Sequence, residues 1–143
     1  MSVSWIRSSS SRKEFYELLR SSDVISIHCP LTDRTRGLFD PAAFAEMKKG
    51  AILVNCARGG IVDRKALESA LARGKLGGVG LDVFWDEPWN PADRLFHFAN
   101  VEVLPHVGGS TREAFSRIAQ VVCDNVTRVM SGEEPIHCVK SRW

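Results

Sequence analysis

Apolar residues fall into two alternating patterns along this chain. Short unbroken runs are one, and recurrence every three or four positions is the other. Residues 23–29, Asp23-Val24-Ile25-Ser26-Ile27-His28-Cys29, are rich in β-branched side chains and stop at Pro30, which predicts a strand. Residues 51–56, 78–84 and 101–104 predict three more, and Val3-Ser4-Trp5-Ile6 reads as a strand remnant. Helical spacing fills the intervals. Phe15, Leu18 and Leu19 share one face of a helix over 12–21, with Ser11 as its cap. Asp40 caps a second helix, which opens on Pro41 and ends before Gly50. Asp63 caps a third, with Ala66, Leu67, Ala70 and Leu71 on its apolar side and Gly74 at its end. Thr111 begins a long fourth helix, whose stripe is Phe115, Ile118, Ala119, Val122, Val126, Val129 and Met130, closed by Gly132. Residues 85–100 read as a loop with two prolines and one helical turn, and the tail past Pro135 reads as irregular.

Strand and helix alternate, which predicts an α/β fold with a parallel sheet and right-handed crossovers. In such sheets ligands bind outside the carboxyl ends of the strands. Arg58, Glu87 and His106 each follow a strand end, so the element order alone puts all three on one rim.

At 143 residues, the chain is long enough for one domain with a core. Apolar residues make up 44% and charged residues 25%, the balance of a soluble globular chain. The net charge of +2 is spread along the sequence, so no nucleic acid and no anionic membrane is expected as a partner. The apolar runs are far shorter than a membrane span, and Arg7, Arg12, Lys13, Glu14, Glu17 and Arg20 interrupt any secretory h-region. Cys29, Cys56, Cys123 and Cys138 lack metal-finger spacing, and no metal is expected. Cys29 and Cys56 end apolar runs and are expected to be buried thiols. A cytosolic or organelle-matrix setting follows, and the cytoplasm is the expected one.

Hydride transfer to or from a 2-hydroxy acid needs a proton carrier, an anchor for the carboxylate, and a nicotinamide. A His near neutral pKa suits the first task, and a neighbouring carboxylate orients it and favours its protonated form. Arg meets a carboxylate with a planar fork. Each residue also has a plainer reading: Arg58 as a surface cation, Glu87 as a loop charge, and His106 as a satisfied loop histidine. Their shared rim favours chemistry. His28, His97 and His137 read as structural. Gly78-Val79-Gly80 is no dinucleotide fingerprint, because it opens a strand and Val83 stands where the third glycine belongs. Gly108-Gly109-Ser110-Thr111 precedes a helix and can turn backbone N–H groups toward a ligand.

Cys56-Ala57-Arg58-Gly59-Gly60-Ile61-Val62-Asp63, Gly80-Leu81-Asp82-Val83-Phe84 with Glu87-Pro88, and Pro105-His106-Val107-Gly108 together resemble the D-2-hydroxyacid dehydrogenases. Residues 22–32 resemble the segment that precedes these motifs, and the likeness runs from about 14 to 139. It implies a Rossmann-type parallel sheet with flanking helices, the second half of a nucleotide-binding domain. It implies Arg58 as the substrate-binding Arg, Glu87 as the support for the acid/base His, and His106 as that His. The implied cofactor contacts are Cys29, Cys56, Ala57, Arg58, Asp82, His106, Val107, Gly108 and Gly109, with Asp82 near the nicotinamide carboxamide. The implied cofactor is NAD or NADP, with NAD favoured, and the implied substrate is a small 2-hydroxy or 2-keto acid. A homo-oligomer, a dimer, is expected.

Residues 1–143 contain no glycine-rich phosphate turn after a strand and no substrate domain. They are expected to be a partial NAD(P)-binding domain that is inactive by itself. The polar segment Ser8–Lys13 is too close to the strand at 23 to serve well as a 2′-phosphate site. Two other readings stand: a nicotinamide-sensing protein like the corepressors that resemble this family, and an inactive fragment. With the first half missing, the strand at 23–29 is expected to be an open edge, with apolar sheet surface uncovered.

Overall fold

A computed structural model describes residues 1–6 and 12–138. The expected Ser11 cap and the segment starting at Ser8 lie outside them. The chain divides into two compact units, Met1–Val107 and Gly108–Trp143.

The first unit holds strands β1 (Val3–Ile6), β2 (Val24–Ile27), β3 (Ala51–Asn55), β4 (Leu76–Leu81) and β5 (Val101–Val103). Helices α1 (Arg12–Ser21), α2 (Pro41–Glu46) and α3 (Arg64–Ala72) make the first three crossovers. The last crossover contains a short 3-10 turn at Arg94–His97. Among the described residues the five strands pair in chain order, β1-β2-β3-β4-β5, and every pairing is parallel. Right-handed crossovers that always step in the same direction put their helices on one face. Burial agrees. Phe15 and Leu19 of α1, Ala43 and Phe44 of α2, and Leu67 and Ala70 of α3 share a core with Ile25, Ile27, Leu53, Val79 and Leu81. Those strand residues alternate, as a pleated strand requires. The other face carries Ile52, which is 38% exposed, with Val24 and Val54 half-buried. Parallel sheets are ordinarily covered on both faces. Among the described residues, the helices of this unit cover one.

The caps form as the sequence predicts. Asp40 accepts from the Ala43 N–H and Asp63 from the Ala66 N–H, at 2.7 and 2.8 Å. Gly74 ends α3 in the left-handed region at φ +62°, where a Cβ is penalised.

Several expectations need correction. β2 is not an edge, because β1 pairs with it in parallel from Val3↔Val24 to Ile6↔Ile27. The Asp23 carboxylate holds the start of β1, accepting from the Ser2 N–H at 2.6 Å. The third predicted strand lies earlier than 78–84, at Leu76–Leu81. Past Leu81 the Asp82 N–H still reaches the Asn55 carbonyl at 3.0 Å, but side chains join in: the Asp82 carboxylate accepts from the Val107 N–H, and the Phe84 N–H donates to Glu87. Cys29 is buried as expected, but Cys56 is exposed. Asn55 takes the last inward position of β3, which leaves Cys56 on the rim.

The second unit contains α4 (Arg112–Met130), capped by Thr111, which accepts from the Ala114 N–H at 3.1 Å. Its apolar stripe does form, but none of its residues is buried. Phe115, Ile118, Val122, Val126 and Val129 are each 55–60% exposed.

Candidate active site

The turn after β3 is built by one side chain. Asn55 is fully buried, and its Oδ1 accepts from the Ala57 N–H at 3.0 Å. Its Nδ2 donates to the Arg58 carbonyl, also at 3.0 Å. The amide thus satisfies backbone groups that the ladder no longer reaches. Arg58 keeps an extended backbone and leads into a 3-10 turn at Gly59–Ile61. Its exposed guanidinium donates to the Ala57 carbonyl at 2.6 Å.

The turn after β4 presents a carboxylate. The Phe84 N–H donates to Glu87 Oε1 at 3.1 Å. Phe84 is buried and stacks on Trp89, with ring centroids 5.3 Å apart. Glu87 Oε2 accepts from His106 Nδ1 at 2.8 Å. The His106 bond, then the Phe84 N–H, hold the Glu87 carboxyl below the usual carboxylate range, and the Arg58 charge adds to this. Glu87 is therefore ionised at neutral pH. An ionised carboxylate only accepts, so Nδ1 carries the proton and Nε2 is left for a substrate.

His106 follows β5 with φ +57°, in the left-handed region. That conformation costs a residue with a Cβ roughly 1–2 kcal/mol. Its neighbours hold it there. The His106 N–H donates to the Leu104 carbonyl at 3.0 Å, and the Val107 N–H donates to Asp82 Oδ1 at 2.8 Å. Asp82 is only 4% exposed, so it works as an internal brace.

A cavity of about 560 Å³ opens at the carboxyl ends of β2 and β3, lined by His28, Cys29, Pro30, Leu31, Cys56, Ala57 and Arg58. Burial pushes the Cys29 thiol up; at Cys56, which is exposed, partial desolvation by the surrounding cavity wall does the same, and the Asp82 charge adds to it. Neither offers a thiolate at neutral pH. Apolar walls beside a guanidinium suit a flat ring and an anionic group, so the residues present fit the nicotinamide side of a dinucleotide. Nothing among the described residues fits its pyrophosphate in the way a glycine-rich turn would. Also among the described residues, no cluster of three or more His, Cys, Asp or Glu suits a metal.

The structure brings most of the nominated residues together. Cys29, Cys56, Ala57 and Arg58 line one cavity, Glu87 and His106 are bonded, and Asp82 is tied to Val107. Gly108 and Gly109 begin the second unit. Sequence reasoning passed over Asn55, and over His28, Pro30 and Leu31 in the cavity wall. The signal for the last three was available. They follow β2 just as residues 56–58 follow β3, and the two strands are neighbours.

Known proteins resemble this chain over most of its length. Residues 5–108 match the family described as D-isomer specific 2-hydroxyacid dehydrogenase, NAD binding domain. A glyoxylate reductase of Aeropyrum pernix is 46% identical over 123 residues, which is 86% of this chain and 37% of that protein. A D-3-phosphoglycerate dehydrogenase of Archaeoglobus fulgidus is 42% identical over 119 residues, 83% of this chain and 23% of that protein. Among solved structures, a D-isomer specific 2-hydroxyacid dehydrogenase from Xanthobacter autotrophicus Py2, in complex with NADPH and MES, superposes with a TM-score of 0.82. It is 29% identical, and the match covers 96% of this chain and 60% of that one. The chain therefore spans about a quarter to a third of the two curated relatives' length.

Proposed function

The chain belongs to the D-isomer specific 2-hydroxyacid dehydrogenase family, within its NAD-binding domain, and on that premise we propose that its rim serves hydride transfer between a nicotinamide cofactor and a small 2-hydroxy or 2-keto acid. The observation that carries this reading is the 2.8 Å bond from His106 Nδ1 to Glu87, on the rim that also bears Arg58. Arg58 holds the substrate carboxylate with its fork. Protonated His106 gives its Nε2 proton to the carbonyl oxygen in reduction and takes it from the hydroxyl in oxidation. Glu87 fixes the ring through the bond to His106 Nδ1. When bound, the cofactor donates or accepts the hydride.

Cys29, Cys56, Ala57, Arg58, Asp82, His106, Val107, Gly108 and Gly109 are the proposed cofactor contacts. NAD is favoured over NADP, although the similar Xanthobacter protein was solved with NADPH. No described helix is long and apolar enough to cross a membrane, and the proposed setting is the cytoplasm. The proposed assembly is a homodimer. Residues 1–143 are proposed to be the later part of the cofactor domain, with little activity alone.

The test is reduction of glyoxylate and hydroxypyruvate with NADH, by the longest form of the protein that carries these residues. Turnover that depends on His106 supports the proposal. Tight NADH binding with no turnover on any 2-keto acid favours a nicotinamide sensor instead.

A further inference from the structure

We infer that Gly59 and Trp85 are positioning residues that hold Arg58 at a fixed separation from the Glu87–His106 pair, an inference that rests on the roles proposed above for those three side chains. Two independent contacts carry it, and both join the turn after β3 to the turn after β4.

The first contact is at Gly59. This residue is buried, and a Cβ built on it would lie 2.1 Å from the Phe84 carbonyl oxygen and 2.7 Å from the Trp85 nitrogen. Both obstacles are backbone, so no rotamer relieves the clash. Phe84 is also the residue whose N–H holds Glu87 Oε1 at 3.1 Å. One peptide segment thus rests against the Arg58 turn through its carbonyl and holds the Glu87 carboxylate through its amide.

The second contact is at Trp85. Its indole Nε1 donates to the Val62 carbonyl at 2.7 Å, and the Arg64 guanidinium lies 5.7 Å from its ring centroid. Val62 is 1% exposed and closes the 3-10 turn that Arg58 opens. The segment at 84–85 is therefore pinned at both ends of that turn, by Gly59 and by Val62. Arg58 lies just before one pin, and Glu87 lies two residues after the other. A substrate carboxylate held by Arg58 then meets the histidine at a distance set by packed backbone rather than by two flexible side chains. Such control matters, because a misplacement of about 1 Å costs roughly a hundredfold in rate.

The test uses the 143-residue chain, labelled with ¹³C at glutamate carboxyls. Glu87 is assigned by loss of its signal in Glu87→Gln. Its titration is then followed by NMR in wild type, Gly59→Ala and Trp85→Phe, with denaturant unfolding run beside it. Trp85→Phe keeps an aromatic ring beside Arg64 but removes the indole N–H together with the pyrrole ring that carries it, and it is the variant that decides the case if Gly59→Ala does not fold. In wild type, Glu87 titrates below the usual carboxylate range because of His106 and then the Phe84 N–H. In the variants its midpoint is expected to rise toward the usual range while the chain stays folded. A purely packing role would lower stability and leave the midpoint alone, so a folded Trp85→Phe with a wild-type Glu87 titration overturns the inference. The readout needs no substrate. Variants that shift Glu87, in a protein that reduces no 2-keto acid, count against the proposed function and support the positioning role.

Discussion

Asn55 and His106 illustrate two ways in which a single residue shapes this rim. His106 is the proposed proton carrier, and its loss removes a general acid–base worth roughly 10²–10⁴-fold. His106→Ala in the longest active form is expected to lower kcat by that range while NADH binding, read by fluorescence, stays nearly unchanged. Arg58→Ala is expected to raise KM for the keto acid as well as lower kcat, because the carboxylate anchor acts in both ground state and transition state. Unchanged turnover in His106→Ala would show that the proton travels by another group. Asn55 touches no substrate in this scheme. Its fully buried amide holds the Ala57 N–H and the Arg58 carbonyl. Asn55→Ala leaves both backbone groups without that partner and is expected to cost about 2–3 kcal/mol, read from urea unfolding. Little change in stability would mean that water takes over both bonds.

Strand β1 depends on a short electrostatic clasp. Asp23 accepts from the Ser2 N–H at 2.6 Å and from Lys48 Nζ at 2.9 Å, with the terminal amine 3.9 Å away. The Lys48 bond, then the Ser2 N–H, lower its pKa from 3.8 to about 2. The folded form therefore holds this carboxylate charged where the unfolded chain would begin to protonate it. The clasp is complete above pH 3.8 and is lost as pH falls through about 2. Amide chemical shifts across Val3–Ile6 are expected to move in that acid window and to stay flat from there to neutrality. Asp23→Asn should weaken the docking at neutral pH and abolish the acid transition. A transition that survives in Asp23→Asn would assign it to another carboxylate.

On the scale of the whole molecule, each unit exposes a stretch of apolar surface. The first shows Ile52 with half-buried Val24 and Val54 on the open face of its sheet, and the second shows the stripe from Phe115 to Val129 on α4. Exposed apolar patches of this kind mark contact surfaces. The 143-residue chain is expected to self-associate, with a sedimentation coefficient that rises with concentration. Substituting Ile52→Lys and Val122→Glu together should push it toward monomer, since each puts a charge where burial would be costly. A wild-type chain that sediments as a monomer at every concentration would overturn this expectation.

Local pattern was enough for most of the elements. β-branched runs, Asp and Thr caps, and glycine stops placed most helix ends within a residue or two, because these signals act within a few positions along the chain. The exception is α2, which ends at Glu46 with Met47 extended, short of the predicted stop at Gly50. The shared rim of Arg58, Glu87 and His106 was also legible, because in a parallel sheet the end of a strand determines which edge its loop occupies. What the sequence could not settle needed contacts between distant segments. β1 completes the sheet beside β2 because of a parallel register and an Asp23 bond that no local window contains. The end of β4 at Leu81, ahead of its predicted limit, goes with the Phe84 N–H turning to the Glu87 carboxylate instead of a neighbouring strand. Cys56 points outward because Asn55 takes the last inward position, and among the described residues nothing in its own unit buries the bare stripe of α4. Periodicity tells which face of an element is apolar; only the tertiary structure decides whether another surface arrives to cover it.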